Sequence, residues 1–380
     1  MLLVLLTTAC KPELGEAERP YKPKGDDTGH ASVDDTAGGD GGDGGDGGDG
    51  GDGGDGGDGG GGPDIGSLSK DIGTNAGGDR ITLDGSGLNA VTSVTFGGAE
   101  ASIVESYGGQ LVMETPANSG EGWVDVVATD PDGSTTLPDA FYYVDDRSGQ
   151  VGAIGLAFYY AEANEGEVFV GLPYQVEDID LYGLIGAEST CSDGPTAAWP
   201  ELQTLGLDEV TLREGSHTGA VPLDASSEMF FTDSLDMSVL SWDGSTGDLE
   251  LNGGVWPDFT ISDAFVLSDM PVLLTPDGAT ETGEQVSVTW EPQTSDKVFI
   301  QFITCVYKSD GCYVVEERRC ITANDGAYTL PGGQWSSWDA ADYVYVRFGE
   351  LAVMRGQQLP DGSNAAFLTA AFDGRFVKIE

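Results

Sequence analysis

After residue 62, apolar and polar residues alternate along short runs. Ile81 and Leu83 alternate with Thr82 and Asp84, Val94 and Phe96 flank Thr95, and Val124 and Val126 flank Asp125. A period of two puts every second side chain on one face, the spacing of a half-buried strand. Farther along, Gln285-Val-Ser-Val-Thr-Trp-Glu291 alternates and Val298-Phe-Ile-Gln-Phe-Ile303 is almost wholly apolar. Tyr343, Tyr345 and Arg347 alternate with Val344, Val346 and Phe348. Val151 to Tyr160, Glu167 to Val170 and Val210 to Leu212 also read as strands, while Pro195 to Leu207 reads as a loop or one short helix. Gly85-Ser-Gly87, Gly97-Gly98 and Asp130-Pro-Asp-Gly133 supply the turns such strands need. Few segments show helical spacing. The pattern predicts an all-β, turn-rich protein.

The pattern is absent before residue 63. Met1 to Cys10 is a short apolar leader ending in small residues and a cysteine. A membrane-spanning helix needs about 20 apolar residues, more than this leader has. Residues 11–62 have almost no apolar side chains, and Asp40, Asp43, Asp46, Asp49, Asp52, Asp55 and Asp58 recur between glycine pairs. Such a chain cannot bury enough apolar surface to offset its ordering entropy, so a disordered acidic Gly-rich linker is expected. Its composition implies a reach of roughly 40 Å, extended further by charge repulsion. The repeat lacks the apolar residue of a calcium-binding nonapeptide and the proline of a collagen helix.

The leader resembles the lipobox of bacterial lipoproteins. That resemblance implies a signal peptide at residues 1–10, a lipid anchor on Cys10 and, with Lys11 following, an outer-membrane or cell-surface address. The stretch 63–144 is more specific. It holds Asn75-Ala-Gly-Gly-Asp-Arg-Ile-Thr-Leu-Asp-Gly-Ser-Gly-Leu88, then Val91-Thr-Ser-Val-Thr-Phe-Gly-Gly-Ala-Glu-Ala101, then Gly122-Trp-Val-Asp-Val-Val-Ala-Thr-Asp-Pro-Asp-Gly133 and Ala140-Phe-Tyr-Tyr-Val144. In that order these motifs resemble an IPT/TIG domain, an immunoglobulin-like sandwich. The resemblance implies a spacer or protein-contact module with no catalytic residues.

Two further β-rich units are expected, 149–270 of unknown type and 271–380. The strand order and early Trp290 of the second resemble a fibronectin type III domain. Cys320 to Gly326 followed by Leu330-Pro331 is also similar to C-terminal sandwich domains of bacterial surface lipoproteins. The expected fold class is therefore tandem immunoglobulin-like or β-sandwich domains behind the linker.

Charge narrows the partners. The chain carries 65 acidic and 16 basic residues, a formal −49. Phosphate-backbone binding needs clustered Lys and Arg, so nucleic acid is rejected as a partner, and the folded part should avoid anionic lipid surfaces. From Ser148 to Asp296 the only Lys or Arg is Arg213, against 27 Asp and Glu. A solvated acidic surface is the default account; the sharper one is calcium, a hard cation held by carboxylates, at Glu177, Asp178 and Asp180 or at Asp243 and Asp248.

Cys191, Cys305, Cys312 and Cys320 are disulfide candidates in an exported chain. Two of the C-terminal three are expected to pair locally, leaving Cys191 to bridge across the boundary. A hydrolase would depend on His217 alone, without a G-x-S-x-G elbow, and carboxylates are too abundant for any pair to stand out. Trp199, Trp242, Trp256, Trp335 and Trp338 could stock cores or form a contact platform, with Trp335 and Trp338 the favoured ligand-binding pair. The reading is a non-enzymatic binding, adhesion or scaffold protein with an extracellular protein or glycan partner. Its rivals are a calcium-dependent carbohydrate- or protein-binding module and an exported hydrolase.

Overall fold

In a computed structural model, the chain is described at residues 62–161, 165–233, 235–236, 240–276, 280–281, 285–308, 311–330, 334–335 and 341–379. The leader, Cys10, the linker up to residue 61 and Trp338 lie outside those residues. Strands account for nearly all regular structure, and no α-helix occurs among the described residues.

The first unit uses strands β1 (Asp64–Leu68), β2 (Ile72–Thr74), β3 (Arg80–Ser86), β4 (Ser93–Phe96) and β5 (Ala99–Glu100). It continues with β6 (Ser102–Tyr107), β7 (Gln110–Glu114), β8 (Gly122–Thr129) and β9 (Ser134–Val144). They form two sheets, β1-β3-β7-β6 and β2-β9-β8-β4-β5. The alternating residues meet between them: Ile81, Leu83, Val94, Phe96 and Val126 are buried in one core with Phe141 and Tyr143. Val124 packs at the core's margin because the β8–β9 register shifts between Val124 and Val126. Gly97 and Gly98 turn the β4–β5 hairpin at φ 57° and 88°, angles only glycine takes without strain.

The body begins with β10 (Val151–Tyr160), β11 (Glu165–Pro173), β12 (Ala187–Glu188), β13 (Cys191–Ser192) and β14 (Leu202–Gln203). Next come β15 (Glu209–Glu214), β16 (His217–Asp224), β17 (Met229–Thr232), β18 (Thr246–Leu251) and β19 (Phe259–Val266). After β20 (Val272–Thr275) and β21 (Thr280–Glu281) the strands lengthen. These are β22 (Val286–Glu291), β23 (Lys297–Lys308), β24 (Gly311–Ala323), β25 (Ala327–Leu330), β26 (Tyr343–Gln358) and β27 (Asn364–Ile379).

The segments 149–270 and 271–380, expected as two units, share one sheet. Its order is β12-β24-β23-β26-β27-β10-β11-β17-β16-β15-β18-β19. The joint is β27 beside β10, parallel from Val151↔Asn364 to Tyr160↔Phe372. The 16-residue strands of the β26–β27 hairpin cause this sharing. At one end Val344, Val346, Phe348 and Val377 pack with Trp290 and Val288 of the small sheet β20-β22-β25. At the other end the same hairpin serves the β10 side. There Phe367 and Ala371 pack with Leu249 and Phe265 on one face, while Leu368 and Phe372 pack with Phe158 and Ile185 on the opposite face. Strands covered on both faces favour apolar side chains at successive positions, which is why β10 is a continuous apolar run and β27 is apolar from Ala365 to Phe372 except at Thr369.

Cys191 on β13 is bonded to Cys320 on β24, with Cα atoms 4.2 Å apart. The expected bridge from Cys191 into the C-terminal segment is present. Cys305 is also disulfide-bonded, and the side chain of Cys312 lies outside the described residues. The first unit docks on the body: Ile72, Tyr142 and Val144 pack against Trp256, whose indole N–H donates to Glu121 at 3.1 Å. Arg147 continues the junction, 3.7 Å from the Asp361 carboxylate and 5.2 Å above the Tyr174 ring.

Candidate functional site

A cleft of about 460 Å³ opens beside the end of β11. One wall is the segment Gly194-Pro-Thr-Ala-Ala-Trp-Pro-Glu201. Two prolines deny it a regular ladder, and its Thr196 and Ala197 N–H groups both donate to the Gly183 carbonyl, at 2.7 and 2.8 Å. The segment then joins the sheet as β14, pairing Leu202 with Pro173. Trp199 packs against the core over β11. A Cβ added to Gly171 would come within 3.0 Å of Trp199 Cζ3, so the glycine makes the ring's close approach possible. The Trp199 indole N–H is buried with no hydrogen-bond partner.

The opposite wall is the turn from Asp224 to Met229. The Asp224 carboxylate accepts from Ser226 N–H at 3.0 Å, Ser226 Oγ at 2.8 Å and Ser227 Oγ at 2.9 Å. Those bonds, Ser226 first, hold its carboxyl below the usual range. The turn sets Glu228 at φ 54°, a left-handed conformation that costs a non-glycine residue about 1–3 kcal/mol. Trp199, Pro200 and Glu201 therefore face Ser227, Glu228 and Met229 across the cleft. At the Glu201 end, Tyr174 donates its backbone N–H to the Glu201 carbonyl at 3.0 Å and exposes its ring.

A second constellation runs across the long sheet. Tyr160 Oη donates to Glu167 at 2.9 Å, and the Arg347 guanidinium lies 4.3 Å from the Tyr160 ring centroid. Arg347 Nη1 donates to Gln301 Oε1 at 3.1 Å, and Gln301 Nε2 to Glu317 Oε1 at 2.7 Å. Glu317 also accepts from Arg319 Nε, while both Arg319 Nη atoms are buried without a hydrogen-bond partner. Glu167, Gln301, Arg319 and Arg347 are all buried. Burial pushes the Glu167 carboxyl up to about 7, against the lowering effects of the Tyr160 bond and Arg347. The void beside Arg347 and Gln301 is only about 10 Å³, about the space of one water. It has no room for a substrate, so this row works as internal bracing.

The residues singled out in the sequence fall elsewhere. Trp335 is buried, edge-on to Phe302 with ring centroids 6.1 Å apart. It fills a core and presents no platform, because its neighbours Val344 and Leu330 need the apolar volume. The Glu177–Asp180 carboxylates serve a turn: Asp178 accepts from Ile179 N–H at 2.8 Å, Asp180 accepts from Gly183 N–H at 2.9 Å, and Glu177 is exposed. Asp243 accepts from Ser245 N–H at 3.2 Å, and Asp248 from Asp263 N–H at 2.9 Å. Among the described residues no three His, Cys, Asp or Glu side chains gather to hold a metal. His217 is exposed where the β15–β16 hairpin turns, opposite Glu214.

Sequence reasoning had Trp199 only as one tryptophan among several, and missed Glu201, Ser227, Glu228 and Met229. The prolines flanking Trp199 were the available signal, since they mark a wall that cannot be a strand. Nothing local ties residues 224–229 to it; the β11–β17 pairing does.

The family model of the IPT/TIG domain matches residues 63–143. No curated protein matches. Solved structures overlap slightly. The plexin A4 extracellular region matches at 11% identity and TM-score 0.21, over 72% of this chain and 21% of that one. The FN1–FN3 domains of chicken CNTN1 match at 8% and 0.20, over 83% and 99%. The Bacteroides ovatus SGBP-B of a mixed-linkage glucan utilization locus, in complex with a heptasaccharide, matches at 14% and 0.19, over 70% and 68%. The chain thus spans about a fifth of the plexin region, and overlaps this loose carry no argument about activity. The matched stretch coincides with the first sandwich and its two-sheet core, and residues 63–143 are an IPT/TIG domain.

Proposed function

We propose that the protein is exported, anchored at the cell envelope through Cys10, and acts without catalysis by binding or scaffolding an extracellular partner on its β surfaces. One contrast carries this reading. The buried row of Tyr160, Gln301 and Arg347 borders a void of only about 10 Å³, whereas the Trp199 cleft is open and walled by an indole ring. Perturbed carboxyls in a cleft would favour acid–base chemistry, but Glu167 owes its shift to a sealed interior. By composition the stretch 11–62 would give the folded units reach, raising their effective concentration near a surface.

The test has two arms on cells expressing the full chain. Labelling with an alkyne-bearing fatty acid should tag the protein, and Cys10→Ala should abolish the tag and release the protein from the membrane fraction. Purified protein should leave polysaccharide, ester and peptide substrates intact. A labelled Cys10→Ala variant would sink the anchor, and turnover of any substrate would sink the non-enzymatic reading.

A further inference from the structure

We infer that the Trp199 cleft is a binding site for a neutral, hydroxyl-rich glycan segment. This rests on the non-enzymatic reading above and names the chemistry of its ligand. Four observations converge on it.

The first is shape and size. At about 460 Å³ the cleft lies within the usual span of small-ligand sites, roughly 300–1,000 Å³. The second is its chemistry. Trp199, Pro200 and Met229 offer apolar surface, and Glu201, Glu228 and Ser227 offer oxygen acceptors. A pyranose ring has an apolar C–H face and a rim of hydroxyl donors, so it can lie against the indole while its hydroxyls donate to carboxylates. Hydrogen bonds to charged acceptors are the stronger kind.

The third is charge. No Lys or Arg lines the cleft. An anionic glycan would meet two carboxylates there inside a chain of formal charge −49, a field that repels it. The nearby Arg147 is committed to Asp361 and the Tyr174 ring. The fourth is the backbone of the wall. Pro195 and Pro200 have no N–H, and those of Thr196 and Ala197 are spent on Gly183. An extended peptide would meet an edge broken at four of its donor positions, which weakens the usual means of strand addition.

The wall geometry is also prepared in advance. Gly171 lets the Trp199 ring settle on β11, and the Asp224 turn sets the backbone at Glu228 before any ligand arrives. A site held ready loses less ordering entropy on binding.

The experiment is isothermal titration calorimetry on the full chain with cello-, xylo-, manno- and malto-hexaose, with hexagalacturonate and a hexalysine peptide as charged probes. At least one neutral hexasaccharide should bind, and Trp199→Ala should weaken it by about tenfold or more, as for a central aromatic anchor. Trp199→Phe keeps an aromatic face and should lose less. Because Trp199 also packs against the core, the exposed changes Glu201→Gln and Glu228→Gln provide an independent arm, each expected to weaken binding roughly three- to tenfold. Hexagalacturonate should bind at least about tenfold more weakly than the neutral sugar.

Silence from all four neutral hexasaccharides would overturn the inference. So would unchanged affinity in the Trp199 and Glu228 variants, tighter binding of hexagalacturonate, or binding of hexalysine to the cleft in place of sugar. Any of these leaves the non-enzymatic reading standing. Shortened oligosaccharide products would overturn that reading instead, even if Trp199 proved essential for binding.

Discussion

The IPT/TIG domain and the body are built from the same kind of strand, yet they differ in how each completes its core. In the domain every pairing lies within residues 64–144, and two modest sheets close over a single core. In the body, β10 waits for a partner about 210 residues farther along the chain, and one hairpin supplies three cores. Stability in the first is local; in the second it is held jointly by segments remote in sequence. The two units should therefore fail in different ways.

The largest effect should come from cutting the body at its expected boundary. Residues 63–144 alone should melt cooperatively by circular dichroism. Residues 149–270 alone should give no cooperative transition and be digested rapidly by protease, because β10 loses its parallel neighbour and each of its two cores loses the side chains that the β26–β27 hairpin supplies. A cooperatively melting 149–270 fragment would show that the shared sheet is not needed for folding.

Point changes should sharpen the contrast. Phe372 is buried at the meeting of Phe158, Tyr160 and Phe299. Phe372→Ala should cost about 3–5 kcal/mol in urea unfolding of the body, with the domain's own transition unmoved. Removing the Cys191–Cys320 bridge by a double alanine change should cost about 2–5 kcal/mol, since it closes a separation of 129 residues in the unfolded chain.

Glu167 gives the body a dependence on pH below neutrality. Its carboxyl sits at about 7 when folded and near 4.5 when unfolded. Between those values the folded state holds the proton that the unfolded state has released. The body should therefore lose stability as pH rises from about 4.5 to 7, with Glu167 contributing about 3 kcal/mol, and level off above. Glu167→Gln should flatten that window, read as urea midpoints from pH 4.5 to 8. The smallest effect is Glu228→Gly, which frees a left-handed position and should add about 1 kcal/mol to thermal stability.

The same contrast explains what was legible in the sequence. Ile81, Leu83, Val94 and Phe96 alternate because each strand of the domain has one dry face, so sheet, sandwich and family could all be read from short windows. Val151 to Tyr160 offered no such reading, since a strand covered on both sides shows neither which face is which nor what lies beside it. The long apolar run beginning at Val298 announced a strand but not its neighbours, so 149–270 and 271–380 read as separate units. The cleft was least visible of all. Its two walls come from segments that meet only through β11, and the tryptophans with the more suggestive surroundings, such as Trp335, were needed inside.

The parallel seating of β27 also has a consequence in time. A ribosome delivers about 5–20 residues each second, so β10 emerges roughly 10–40 s before the segment that must lie beside it. The amino-terminal sandwich can finish while that lane is still vacant. Until the last residues appear, an almost wholly apolar ribbon stands open on one flank, and a nascent chain halted short of Asn364 would be a sticky intermediate in need of a holdase.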